Sequence, residues 1–247
     1  RGKHFNFHED GSVIGADTLF LASLTPPMEM MIEDSPSLNH LTVLEDVNLS
    51  VAQANPALDV NGWFRHGDGL LNFGAIDITV NGHYHRDEGT YAATSGYLII
   101  NTNTFRQGAT AFTIPNLSLI YNGNFTAAEA ADFTVTKRFD LRIGDGHQFN
   151  HDGKLAMSDG VTFSFKDGTF DDPPDYKGTI RLNLICDSDH PISDEIWPAA
   201  PTTLVTTVND SATAASVDMV LPGSRTVNDT MNYRLGNIQI PDGSVFA

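Results

Sequence analysis

A single cysteine, Cys186, stands among 247 residues, so no intramolecular disulfide can hold the fold. Packing and backbone hydrogen bonds must do so instead. Basic residues are scarce as well: 14 Lys and Arg face 31 Asp and Glu, a formal charge of -17. Such a surface repels phosphate rather than releasing its counterions, which excludes nucleic acid as the partner. No apolar run approaches the roughly 20 residues that a helix needs to cross a bilayer, so the reading includes no membrane insertion. Helical periodicity is nearly missing, and its best short candidate, residues 126–131, reads as one turn or a loop. There is no Gly-x-Ser-x-Gly elbow, no phosphate-binding Gly loop and no dinucleotide Gly pattern. Cys186 sits in an apolar stretch, Leu184-Ile185-Cys186, where a packed small hydrophobe is a better reading than a nucleophile.

What the chain does have is 40% hydrophobic residues spread over its whole length, enough for one sizeable domain or two small ones. Few cysteines and strong acidity suit an extracellular or cell-surface protein, and a cytosolic acidic protein almost as well. Arg1 in place of Met, with no apolar leader after it, leads us to expect a processed chain or a piece of a longer one.

A repeat organises the first two thirds. Residues 58–69 read LDVNGWFRHGDG, and twenty positions later residues 78–89 read ITVNGHYHRDEG. Residues 98–108, LIINTNTFRQG, keep Asn101 and, after one inserted position, Phe105. Residues 119–125, LIYNGNF, place Asn122 and Phe125 in the same relation. Weaker copies occur at 7–11, 149–153 and 163–170. Within the units, Ile76, Ile78 and Val80 alternate with polar residues, and Asn-Gly or Asp-Gly pairs punctuate the runs.

Short strands at a fixed offset, without helices, predict an all-β parallel solenoid with coils of about 20 residues, stacked about 4.8 Å apart. In that fold Asn61, Asn81, Asn101 and Asn122 form a structural ladder at an inward turn, their amides passing hydrogen bonds along the stack. Phe64, Tyr84, Phe105 and Phe125 form an aromatic column beside it in the core. The competing antiparallel meander treats the Asn-Gly pairs as hairpin turns, but hairpins need no constant twenty-residue offset. The repeat domain is taken as 1–177. After Pro173 and Pro174 the signature is lost, and residues 178–247 read as an irregular β region, either a cap on the solenoid or a small β domain.

The units at 80–100 and 149–170 resemble the filamentous-haemagglutinin type of repeat found in two-partner-secreted and contact-dependent-inhibition exoproteins. The shared pattern is an aromatic, a polar residue, Gly, a small-residue turn and an apolar strand. The resemblance spans about residues 5–170 and lapses around 127–144. It implies an extracellular right-handed β-helix that serves as an adhesin or surface spacer, and it identifies no receptor.

Several polar groups are candidate sites. His83 and His85 share one face of a strand, as metal ligands can, but they replace Trp63 and Arg65 of the preceding unit, which suggests a tolerant outward column. Asp145, His147, His151 and Asp152 read as a solvated turn. The acidic runs Asp167, Asp171, Asp172, Asp175 and Asp187, Asp189, Asp194, Glu195 offer oxygen ligands to calcium, without the EF-hand or β-roll spacing. No metal or catalytic residue and no cofactor is assigned, calcium being the one ion these loops could take. Arg65, Arg86, Arg106, Asp68 and Asp87 could share a solenoid face, as a polysaccharide lyase or hydrolase would require. Trp63, if outward, could stack on a sugar ring.

The expected function is therefore non-catalytic: adhesion or rigid spacing, with a cell-surface receptor or glycan as partner. A β-helix polysaccharide lyase or hydrolase is the alternative, and a subunit that associates end to end into a filament is a second.

Overall fold

The structure, a computed structural model, describes residues 4–7, 18–22, 27–32, 37–51, 57–102, 105–127, 131–144, 146–178, 180–186, 190–191, 196, 203–209, 219–220 and 238–239. Among these there are strands and no helix, and the strands pair in parallel. One coil runs Ala57–Val60, turns at Asn61 and Gly62, runs Trp63–His66, turns again, and runs Leu70–Gly74. The next repeats it as Asp77–Val80, His83–Arg86 and Thr90–Ala93. Ile78 lies on Leu58, Tyr84 on Phe64 and Tyr91 on Leu71. The result is a three-faced β-solenoid of about 7 turns with a spacing of about 21 residues.

The first face is an 11-stranded sheet running from Ser37–Leu38 through Leu98–Ile100 to Thr203–Asn209. The second carries Thr18–Leu21, His40–Val43, Trp63–His66, His83–Arg86 and Phe105–Gln107. Phe125–Thr126, Gln148–Asn150 and Thr169–Phe170 take the same place in later coils. The third carries His4–Phe7, Met28–Ile32, Val47–Val51, Leu70–Gly74 and Thr90–Ala93. From Phe112–Ile120 onward one long strand bends from the third face into the first. The register against Phe133–Arg142 slips between Ile114 and Asn116. Pro115 lies at that slip; it has no N–H to give to the ladder, so an irregularity there costs no hydrogen bond.

Alternation with period two fills the interior. Leu58, Val60, Phe64, Leu71, Phe73, Ile78, Val80 and Tyr84 are fully or almost fully buried, and later coils add Phe139, Phe149, Phe163 and Phe170. Burying one such side chain contributes about 2–3 kcal/mol. Phe64 and Tyr84 stack with ring centres 5.6 Å apart, and Phe139 and Phe163 at 5.4 Å. Phe125 is buried against Phe149, edge to face. Phe105 lies opposite Tyr84 in register; its side chain is outside the described residues.

The asparagine column requires a correction. Asn101 Nδ2 donates to Asn81 Oδ1, and Asn81 Nδ2 to Asn61 Oδ1, both at 3.0 Å, while Asn61 Nδ2 reaches Ser37 Oγ. These side chains are exposed, however, not turned inward. Val60 and Val80 point into the core, so the next residue in each strand must point out. Asn122 is also out of register. Ile100 pairs with Leu119, which puts Ile120 at the level of Asn101 and Asn122 two residues further on, in a longer corner.

The parallel ladder also passes residue 177, where the sequence texture changes. Thr162–Asp167 pairs with Ile180–Cys186, and that strand with Thr203–Asn209. His190–Pro191, Met219–Val220 and Ile238–Gln239 form a further parallel sheet.

Candidate functional site

The second face separates its residues into inward and outward columns. Register pairs Phe20 with Thr42, Thr42 with Arg65, Arg65 with His85, and His85 with Arg106, all on the outer side. Beside them lies a second outer column, His40, Trp63 and His83. The Trp63 backbone N–H donates to His40 Nδ1 at 2.9 Å, and the Trp63 and His83 rings lie 4.4 Å apart. The His40 ring also occupies the space under Gly62, where a Cβ would come within 2.6 Å of it. The Asn-Gly corner thus seats the histidine that supports Trp63.

Trp63 is 50% exposed and Phe20 64%. With His40, Thr42, Leu44 and Arg65 they line a concavity of about 390 Å³ whose floor is the short Thr42 side chain. Asp87 ties the polar side together. Its Oδ2 accepts from Arg65 Nε at 3.0 Å and Nη2 at 2.7 Å, and its Oδ1 lies 3.0 Å from His85 Nε2. The arrangement offers two aromatic platforms and an oriented guanidinium.

Beneath this surface runs an inner polar column that the sequence reading missed. Register places Val43, His66, Arg86 and Gln107 one above another. His66 and Arg86 are fully buried and Gln107 nearly so. This overturns the expectation that Arg65, Arg86 and Arg106 share a face. Arg65 and Arg106 are outside, and Arg86 is inside. The Arg86 guanidinium is held by backbone carbonyls, bonding to Gly89 O and, at 3.0 Å, to Thr110 O, and it lies 4.0 Å over the Phe112 ring. The Tyr84 and Tyr91 hydroxyls bond each other at 2.7 Å close by. Burial, reinforced by the Arg86 charge, lowers His66 to a pKa of about 4, so its imidazole is neutral. Burial likewise raises both tyrosines and lowers Arg86. A switch from apolar to polar in one inward column, Val43 to His66, was the only signal in the sequence.

Several of the other polar groups hold corners of the coils. Asp68 Oδ1 accepts from the Gly69 N–H at a corner. Asp167 Oδ1 accepts from Gly144 N at 3.1 Å, and the Asp171 carboxylate from His151 N and Asp152 N at 3.0 Å. Burial raises the Asp171 pKa, but those backbone donors outweigh it and the net shift is downward. His151, expected in a solvated turn, is buried, its Nε2 2.9 Å from Asp172 O. Asp172 and Asp152 are exposed, and Asp175 pairs with Lys177. Asp145, Asp187, Asp189, Asp194 and Glu195 lie outside the described residues, as does the Cys186 side chain. Among the described residues no three of His, Cys, Asp and Glu converge as metal ligands would.

Comparison with protein-family models, with curated proteins and with solved structures gave no match, so the functional reading rests on this geometry.

Proposed function

We propose that the chain is a non-catalytic extracellular adhesin or rigid surface spacer, of the filamentous-haemagglutinin type, that presents its second face to a cell-surface receptor or glycan. One observation carries the reading. Trp63 and Phe20 stand exposed on the outer side of a regular sheet, beside Arg65 fixed by Asp87. With Leu44 they form one apolar patch beside a charged group, which marks an interaction surface as singly scattered aromatics do not. Aromatic faces with flanking hydrogen-bond donors are suited to sugar rings. The solenoid supplies rigidity, so the face meets its partner with little ordering cost.

The test is to incubate the purified protein with a panel of polysaccharides and whole cells, scoring retention and sugar release together, with calcium and then with chelator. Retention without release, lost in Trp63→Ala, is the expected result. Release of reducing or unsaturated sugar would replace this reading with a lyase or hydrolase. Concentration-dependent fibres without retention would replace it with a filament subunit.

A further inference from the structure

We infer that the second face takes an extended acidic polysaccharide laid along the rod axis, one sugar to each coil. The inference rests on the glycan reading above and adds the direction, the repeat and the charge of the ligand. Charge comes first. The chain as a whole carries -17, yet among the described residues the outer columns of this sheet hold the guanidinium groups of Arg65 and Arg106 and no carboxylate, with the His40, His83 and His85 rings as further polar groups and Asp87 just past the strand end. A cationic strip on an acidic molecule is complementary to carboxylate or sulfate groups and to little else that an acidic surface tolerates.

Spacing comes second. Outer side chains recur at each coil step, about 4.8 Å along the axis. An extended pyranose chain advances by roughly one such step per sugar, so a polymer lying along the rod meets the same columns again at every residue. Arg65 and Arg106 stand two steps apart in one column, with His85 between them. They can therefore take the acidic groups of alternate sugars. Phe20 and Trp63 likewise stand two coils apart on either side of Thr42, and the concavity between them runs along the axis. Laid across the rod instead, the polymer would leave the sheet within two sugars and meet the acidic corners at Asp68 and Glu88.

Asp87 sets how strongly the strip attracts. It holds Arg65 in position and also neutralises part of its charge. An acidic sugar competes with Asp87 for the guanidinium, so removing the Asp87 charge strengthens binding, whereas removing Arg65 weakens it.

Oligogalacturonides of increasing length provide the test, titrated into the full chain by calorimetry alongside their carboxyl-reduced, neutral forms. Affinity is expected to rise with length up to about five sugars, the number of strands in this 5-stranded sheet, and then to level off. Arg65→Gln is expected to weaken the acidic series about tenfold and leave the reduced series unchanged. Asp87→Asn is expected to strengthen the acidic series, and Trp63→Ala to weaken both. Added salt should weaken only the acidic series. Circular dichroism confirms that each variant is folded. Equal binding of acidic and reduced chains would overturn the charge assignment while the adhesin reading stood. Affinity that stops rising after one or two sugars would overturn the axial placement. Failure of every glycan and cell type in the broader panel would overturn the adhesin reading itself.

Discussion

At the scale of single residues, the corner of each coil shows what a repeat in the sequence can and cannot tell. The twenty-residue offset of Asn61, Asn81 and Asn101 is visible in the letters, and the amides do bond along the stack. Their direction follows only from the strand before them, because an inward valine forces an outward asparagine. Two exposed hydrogen bonds are worth about 1 kcal/mol together, so Asn81→Ala is expected to lower unfolding stability by about that much in urea. Gly82→Ala is expected to cost more, about 3 kcal/mol, since a Cβ there would come within 1.9 Å of the Gly62 carbonyl oxygen and the backbone must move. His66 makes the residue-scale prediction for pH. Its folded pKa, about 4, lies below the ordinary 6.5, so the unfolded chain takes up the proton first. The stability that its neutral form permits is complete above pH 6.5 and is lost as pH falls toward 4, by on the order of 3 kcal/mol. His66→Leu should flatten that part of the pH profile, and an unchanged slope would assign the effect elsewhere.

At the scale of the strand, one tetrapeptide serves two purposes. In Trp63–His66 the first and third residues build the outer face, and the second and fourth fill the core. Alternation was legible, and so was the equivalence of Trp63 with His83. The placement of Arg86 was not. Arg65 and Arg86 look equivalent by residue type, but they are 21 positions apart in coils that repeat here every 20, so they fall on opposite sides of the sheet. A buried arginine is also a poor guess from composition, because its cost is offset only by carbonyls that a corner happens to aim inward. The two sides are separable by substitution. Arg86→Met strips Gly89 O and Thr110 O of their donor and removes the contact with Phe112. It is expected to destabilise by about 3 kcal/mol. Trp63→Ala is expected to leave the chemical-denaturation midpoint nearly unchanged and to abolish retention on glycan. A large stability loss in Trp63→Ala would mean that the outer ring holds the fold together and was not kept for a ligand.

For the whole molecule, the balance lies between a stacked core and a surface of one sign. Each coil touches only its neighbours, so stability is close to a sum of coil interfaces, and a long-range repulsion acts on all of them at once. The formal charge of -17 supplies that repulsion. Screening shortens its reach from about 30 Å in 10 mM salt to about 3 Å in 1 M. The melting temperature is therefore expected to rise by several degrees across that range, whereas glycan binding through Arg65 and Arg106 should weaken. The opposite signs separate the two roles of charge in one protein. Acid acts differently from salt. Between pH 6.5 and 5 most carboxylates stay ionised, while His66 already favours the unfolded chain. Stability should thus fall over this interval at high salt as well as low, measured as the urea midpoint at each pH. A rise instead would show that relief of surface repulsion outweighs the buried imidazole, and that charge rather than packing limits how long such a rod can stay folded.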